Sequence, residues 1–259
     1  MIHLGYVREI TRYPIKSLAG IAVESAILGW HGLNGDRRFA FRHIADDGGF
    51  PWLSASKLPE LLLYQPVGID DKSDELLPTH VRTPSGCLLQ IGSAELNAEI
   101  TARFGSRVEL MQLKHGIFDE AAISIITPAT IAGIGREAAI RDLDPRRFRA
   151  NIVIDTESVE PFHEEAWIGG TLVFGEWHGR LAHESARKMH APRGAPAIHV
   201  TMPDLRCVMI NLDPDTAAKD ARVMKTVARL NQNNAGVYAT VVQTGTIRVG
   251  EPVSLVAER

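Results

Sequence analysis

Arg38-Phe39-Ala40-Phe41-Arg42-His43-Ile44 is the stretch that decides the fold. Phe39 and Phe41 recur with the two-residue period of a β-strand. Asp46-Asp47-Gly48-Gly49 then supplies the residues of a turn. The same form recurs on both sides, as short apolar or alternating runs at residues 23–28, 61–69, 88–91 and 108–113. Gly, Pro, Asn or Asp separates most of them, and their intervals suit an antiparallel barrel or sandwich. Pro84-Ser85-Gly86, between Val81-Arg82 and Leu88-Leu89, reads as a hairpin turn. A second strand-rich section is expected at 151–155, 171–174, 207–212, 238–243 and 253–256.

Three helices interrupt the strands. The first is expected from Ala94 to Phe104, with Ser93 as its cap, Leu96, Ile100 and Phe104 on one face and Gly105 as its stop. The second opens at Thr127-Pro128, a cap followed by proline at the first helical position. The third covers about 219–230, with Val223, Val227 and Leu230 as its stripe. The fold class is therefore mainly β with a few helices, α+β. An N-terminal β-rich domain is expected over 1–113 and a second β-rich domain over 114–259, with the boundary near Lys114-His115-Gly116. Residues 175–198 are polar, histidine-rich and without regular period, and read as a long loop.

Composition narrows the function. Hydrophobic residues make up 45% and charged residues 23% of the 259 residues, as in a soluble globular protein. No apolar stretch approaches the roughly 20 residues of a membrane span, and the first residues lack the pattern of a secretory signal. A net charge of -3 gives no electrostatic case for nucleic acid. Two cysteines, Cys87 and Cys207, exclude a disulfide framework and a multi-cysteine zinc site. A cytoplasmic protein with no nucleic-acid or membrane partner is expected.

Three groups could carry chemistry. Cys207 lies beside Arg206, and a neighbouring cation favours a thiolate, which can ligate a soft metal or act as a nucleophile. On its own, a lone cysteine is more commonly a small buried hydrophobe. Arg149 and Asn151 alternate about Ala150 before an apolar strand. Arginine can fork onto a phosphate and asparagine can bond a heterocycle edge. Lys16-Ser17 and Asp36-Arg37-Arg38 add cations at other loop–strand junctions, although each alone reads as a solvated charge. His178, His183 and His190, with Glu176 and Glu184, could bind zinc, but their spacing is irregular. His163-Glu164-Glu165 reads as a solvated turn.

Tyr13-Pro14-Ile15-Lys16-Ser17, Gly35-Asp36-Arg37-Arg38-Phe39, Phe148-Arg149-Ala150-Asn151 and Arg206-Cys207 through Asp213-Pro214-Asp215-Thr216 together resemble MOSC-domain proteins that carry an N-terminal MOSC β-barrel domain. The branch they are most similar to includes the mitochondrial amidoxime-reducing component. The resemblance runs from near residue 6 to 255. It implies a C-terminal MOSC-type β-barrel and a molybdenum cofactor of the molybdopterin type between two domains. It further implies Cys207 as metal ligand and catalytic residue, with Lys16, Ser17, Arg37, Arg149 and Asn151 holding the pterin and its phosphate. The activity implied is reduction of an N–O or S–O bond of a small-molecule substrate, with electrons from a separate donor protein. The alternative is a carrier or storage module for the cofactor or its sulfur. Two departures from the family stand out. Asp119-Glu120-Ala121 replaces an acid followed by two hydroxyl residues, and 175–198 is longer than the linker usual there.

Overall fold

The computed structural model describes residues 1–46, 48–70, 76–113, 120–175 and 195–257. The first half contains β1 (Ile2–Arg12), β2 (Ile21–Val23), β3 (Ser25–Gly29), β4 (Gly32–Leu33), β5 (Phe39–His43), β6 (Gln65–Val67), β7 (His80–Arg82), β8 (Leu88–Gln90), α1 (Ala94–Phe104) and β9 (Val108–Gln112). The second contains β10 (Ile123–Ile126), α2 (Pro128–Glu137), β11 (Ile152–Thr156), β12 (Gly170–Phe174), β13 (Ala197–Leu205), α3 (Arg222–Asn231), β14 (Asn234–Gln243), β15 (Gly245–Arg248) and β16 (Pro252–Ala257). The mainly β class with three helices is as expected.

Seven strands close into a barrel in the order β11-β10-β14-β13-β12-β16-β1, with β1 pairing back onto β11. All its pairings are antiparallel except β10 with β11, where Ile125 faces Ile152. The long first strand serves three neighbours in turn: β16 near its start, β11 through its middle and β2 at its end. The boundary expected near residue 114 is thus crossed by the chain's first strand. Gly5 makes the crossing possible: at φ +151° an added Cβ would sit 1.9 Å from the Asp155 carbonyl oxygen. Val7, Ile10, Ile125, Ile154, Leu172 and Val237 fill the barrel.

Outside the barrel, β5 and β9 form a ribbon and β6-β7-β8 a small sheet, packed with α1 around a second core of Ile15, Phe39, Phe41, Leu61, Tyr64 and Ile100. A third core lies between the barrel wall and α2 and α3, built on Ile134, Phe148, Val223 and Val227. α1 has the expected limits: the Ser93 hydroxyl accepts from the Leu96 N–H and Gly105 turns left-handed at φ 78°. The hairpin at Pro84-Ser85-Gly86 joins β7 to β8.

Three local expectations are corrected. In 61–69, Pro59–Leu63 is a 3-10 turn and only Gln65–Val67 is a strand, because proline opens the turn and Leu61 and Leu62 are both buried rather than alternating. The span 207–212 is not a strand either, since Val208–Asn211 forms a 3-10 turn capped by Cys207. Ile210 anchors this turn in the third core, while Met209 and Leu212 pack into the second, so it bridges two cores. His163–Trp167 is a 3-10 turn in which Glu164 is buried rather than solvated. The expected loop at 175–198 lies almost wholly outside the described residues.

Candidate functional site

The segment after β1 folds back at Tyr13-Pro14 and bridges to β5: the Lys16 N–H donates to the Phe39 carbonyl, and Ile15 pairs with Phe39. The turn before β5 is locked to it, with the Arg37 N–H donating to the Tyr13 carbonyl and the Tyr13 N–H to Asp36 Oδ1. A third segment enters β11 through a 3-10 turn, Pro145–Phe148, capped by Asp144. The fourth leaves β13 at Leu205 and turns at Cys207.

These segments converge on a small cavity of about 110 Å³ whose lining includes Lys16, Ser17, Arg37, Arg149 and Cys207. Five of the six site residues expected from sequence are therefore neighbours in space. Ser17, Arg37 and Arg149 also have left-handed backbone, at φ 67°, 47° and 51°. Such geometry is rare for non-glycine residues and concentrates at functional sites. The Arg149 guanidinium stacks 4.2 Å over the Tyr13 ring and donates to the Leu18 carbonyl at 2.7 Å. Burial pushes the Tyr13 phenol above its ordinary value, against the pull of Arg149 and Arg37, so at neutral pH it is a neutral hydroxyl. Lys16 Nζ lies 5.5 Å from the centre of the Phe50 ring.

Asn151 has a different place. Its side chain is fully buried, and all four hydrogen-bonding positions are used. Oδ1 accepts from Arg37 Nη1 at 2.7 Å and from the Ser124 N–H at 3.2 Å. Nδ2 donates to the Thr11 carbonyl and to Asp36 Oδ2, both at 3.1 Å. Asn151 orients Arg37 and has nothing left for a ligand's ring edge. Arg206 is likewise turned inward. Nε donates to the Ala235 carbonyl and Nη1 to the Phe148 carbonyl, each at 2.7 Å. Nη2 pairs with Asp204 Oδ2 at 2.7 Å and reaches Ser124 Oγ at 3.3 Å. The cation expected to act on the Cys207 thiol is spent holding the backbone beneath it. Gly236 leaves that space open, since a Cβ there would stand 3.1 Å from Arg206 Nη2 and 2.3 Å from the Ile125 carbonyl oxygen.

Cys207 is exposed, as is Cys87, and both are free. Cys87 lies at the β7–β8 hairpin, where Ser85 Oγ is 3.7 Å from its sulfur, and it lines neither this cavity nor its neighbour. Glu120 is exposed and lines neither as well, so its carboxylate does not crowd the cations; Asp119 lies outside the described residues. Sequence reasoning passed over Asp204, Ser124 and Tyr238, which complete the cavity wall. Asp204 and Arg206 stand two residues apart at a strand end, a spacing that puts an acid and a base on one face and could have revealed the pair.

Tyr13, Arg147, Arg149 and Met209 also line a larger groove of about 720 Å³, which opens from the cavity toward β2 and the β6-β7-β8 sheet. Arg147 is tied to the Asn211 carbonyl and Asp213 Oδ2, both at 2.9 Å, and fixes the Asp213-Pro214-Asp215-Thr216 turn. Among the described residues no cluster of three or more His, Cys, Asp or Glu could hold a metal ion, and His178, His183 and His190 lie outside them. No helix among those residues is long and apolar enough to cross a membrane.

Residues 112–254 match the MOSC domain, and residues 4–114 match the MOSC N-terminal beta barrel domain. The chain belongs to the MOSC domain family. The fold of the YUAD protein from Bacillus subtilis is similar, with a TM-score of 0.51 at 10% identity over 98% of this chain and 97% of that one. YiiM from Escherichia coli aligns with 100% of this chain and 71% of its own at 12% identity and a TM-score of 0.42. YiiM from Geobacillus stearothermophilus aligns over 52% and 54% at 17% identity and a TM-score of 0.34. No curated protein matches the chain. In this MOSC chain, Cys207 and three cations from separate segments meet at the join between the barrel and the N-terminal sheets.

Proposed function

We propose that this MOSC protein binds a molybdenum cofactor at Cys207 and reduces N–O or S–O bonds, taking electrons from a separate donor protein, as in the branch that includes the mitochondrial amidoxime-reducing component. One observation carries the reading: an accessible thiol, Lys16, Arg37 and Arg149 line a single cavity. A thiolate suits a soft metal, and convergent cations suit a phosphate dianion. The cavity of about 110 Å³ is too small for a pterin, because cofactor-sized sites run about 300–1,000 Å³. The near end of the adjoining groove, lined by Tyr13, Arg149 and Met209, supplies the remaining room, and the stretch along Leu62, Pro66, Val67 and Arg82 lies beyond it.

The residues divide the work. Cys207 ligates the metal. Arg149 and Lys16 hold the phosphate, and Arg37 is aimed by Asn151 and Asp36. The cofactor, when bound, supplies the two-electron oxo-transfer chemistry. Reducing an N-hydroxyl group consumes two electrons and two protons and releases water, so the cavity needs a path for protons as well as electrons. The exposure of Cys207 suits a second reading, a carrier that passes the cofactor or its sulfur to another protein. Both readings fit a reducing, cytoplasmic setting in which the thiols stay free.

The experiment is elemental analysis and turnover of an N-hydroxylated substrate, with protein made in a host that synthesises the cofactor. Cys207→Ala is expected to fold normally and lose turnover, and Cys87→Ala to keep it. Arg149→Ala or Lys16→Ala should lower cofactor content by removing a charge-assisted bond of about 1.5–3 kcal/mol. Full turnover in Cys207→Ala would end the ligand assignment. Molybdenum bound without turnover, but released to an apo-enzyme, would favour the carrier.

A further inference from the structure

Among the described residues that line the larger groove, arginines outnumber acids. Of its acids, Glu9 pairs with Arg8 at 3.7 Å and Asp215 with Arg146 at 2.5 Å. Arg146 is held firmly protonated by Asp144 and then Asp215. Arg147 is matched by Asp213. Arg149 is held by the Leu18 carbonyl and the Tyr13 ring, whereas the Arg82 side chain makes no hydrogen bond or ion pair with any described residue. It is placed there by strand alternation. Val81 is buried in the second core, which turns His80 and Arg82 to the other face of β7, and Arg82 stands opposite Gln65 on the groove wall.

That wall also carries apolar side chains, with Leu62, Pro66, Val67 and Ile21 lining it and Met209 at the end shared with the Cys207 cavity. A volume of about 720 Å³ falls within the range of small-molecule sites, which combine apolar walls with a few placed polar groups. A guanidinium with no acid beside it among the described residues fits the planar oxygens of a carboxylate or phosphate.

We propose that the groove binds an amphipathic oxyanion, with its carboxylate or phosphate head on Arg82, its apolar body along Leu62, Pro66 and Val67, and its other end toward Tyr13 and Arg149. Resting on the reductase reading, this makes the substrate a molecule with an oxyanion at one end and the reducible N–O or S–O group at the other.

The test is calorimetric binding to the full chain as isolated, with molybdenum content measured on the same samples. The probes are naphthylacetate, naphthyl phosphate and the uncharged naphthylacetamide. At low salt the wild type is expected to prefer at least one anion over the amide by about fivefold, the upper end for a partly exposed ion pair. Arg82→Gln should abolish that preference while leaving amide binding unchanged, and Arg82→Lys should restore part of it. The anion that binds more tightly identifies the head group. Equal affinity for amide and anions, or a preference that survives in Arg82→Gln or follows Arg149→Gln instead, would overturn the proposal. Absence of molybdenum would count against the reductase reading alone, because the binding comparison does not depend on the metal.

Discussion

Asp204 and Glu164 are both almost completely buried, yet the two regions give a buried carboxyl group different partners. Asp204 lies in the wall of the Cys207 cavity with a guanidinium 2.7 Å away and the Ser124 hydroxyl at 2.5 Å. Burial is the largest influence and leaves its carboxyl raised, although Arg206, Ser124 and Tyr238 pull it down. Glu164 sits across the start of α2, where Oε2 accepts from the Thr127 and Thr130 hydroxyls at 3.0 and 2.8 Å. Oε1 has no partner among the described residues. Burial is the main influence on it, and its carboxyl is raised. A buried acid with a counter-ion acts as a clamp, and here the clamp holds Arg206 directly before the candidate ligand. Glu164 has two hydroxyls and, 3.8 Å from Oε2, the His163 ring in place of a guanidinium, and it braces the Thr127 cap of α2. The first arrangement fixes geometry at the site; the second leaves one carboxyl oxygen without a partner among the described residues.

The sharpest way to break this contrast is to remove the charge of the clamp and keep its shape. Asp204→Asn leaves the Arg206 guanidinium buried without its counter-ion, a change that costs about 3–5 kcal/mol when a buried pair is broken. Urea unfolding should show that loss. Asp215→Asn, in an exposed pair with Arg146, should change stability by about 1 kcal/mol or less. Similar small losses in both variants would show that Asp204 is already neutral in the folded protein. The thiol offers an independent check: if the pair positions Cys207, alkylation of Cys207 should change in Asp204→Asn while that of Cys87 stays constant.

The same contrast explains what could be read from sequence. Strands with a regular period were legible: Phe39 and Phe41 mark β5, and the spacing of Leu96, Ile100 and Phe104 with a serine cap marks α1. The 207–212 run misled because an apolar stretch of that length fits a strand as well as a turn, and only tertiary packing sends Ile210 into one core and Leu212 into another. Lys16, Ser17, Arg37, Arg149 and Cys207 were legible as types and through the family resemblance, but their convergence depends on pairings between segments over a hundred residues apart, as between Arg37 and Asn151. Asn151 shows the limit of residue type: an amide suited to a ring edge is instead consumed by its neighbours. The long β1 was not foreseen, because Arg8 and Glu9 break its apolar pattern where the strand bulges between Val7 and Glu9. Glu164 was read as solvated because the hydroxyls that receive it lie 34 and 37 residues away in sequence.

Glu164 gives the smaller effect, and its sign is fixed by the direction of the shift. Its folded carboxyl holds a proton more tightly than the ordinary value of 4.5. As pH rises through 4.5 the unfolded chain releases this proton first, so the unfolded state binds fewer protons and stability falls. The fall continues to the raised folded value and then stops. Glu137 has the opposite sign, because its hydrogen bond and charge interaction with Arg229 hold it below 4.5, but it is exposed and its part is minor. Glu164→Gln removes the titration and keeps an oxygen for the Thr127 and Thr130 hydroxyls. The unfolding free energy of the wild type minus that of the variant should therefore decline with pH above 4.5 and level off once the buried carboxyl has ionised. A difference that stays flat across this window would mean that the Glu164 carboxyl titrates alike in the folded and unfolded chain. A difference that rises with pH would mean that the two threonine hydroxyls and His163 favour the anion more than burial disfavours it.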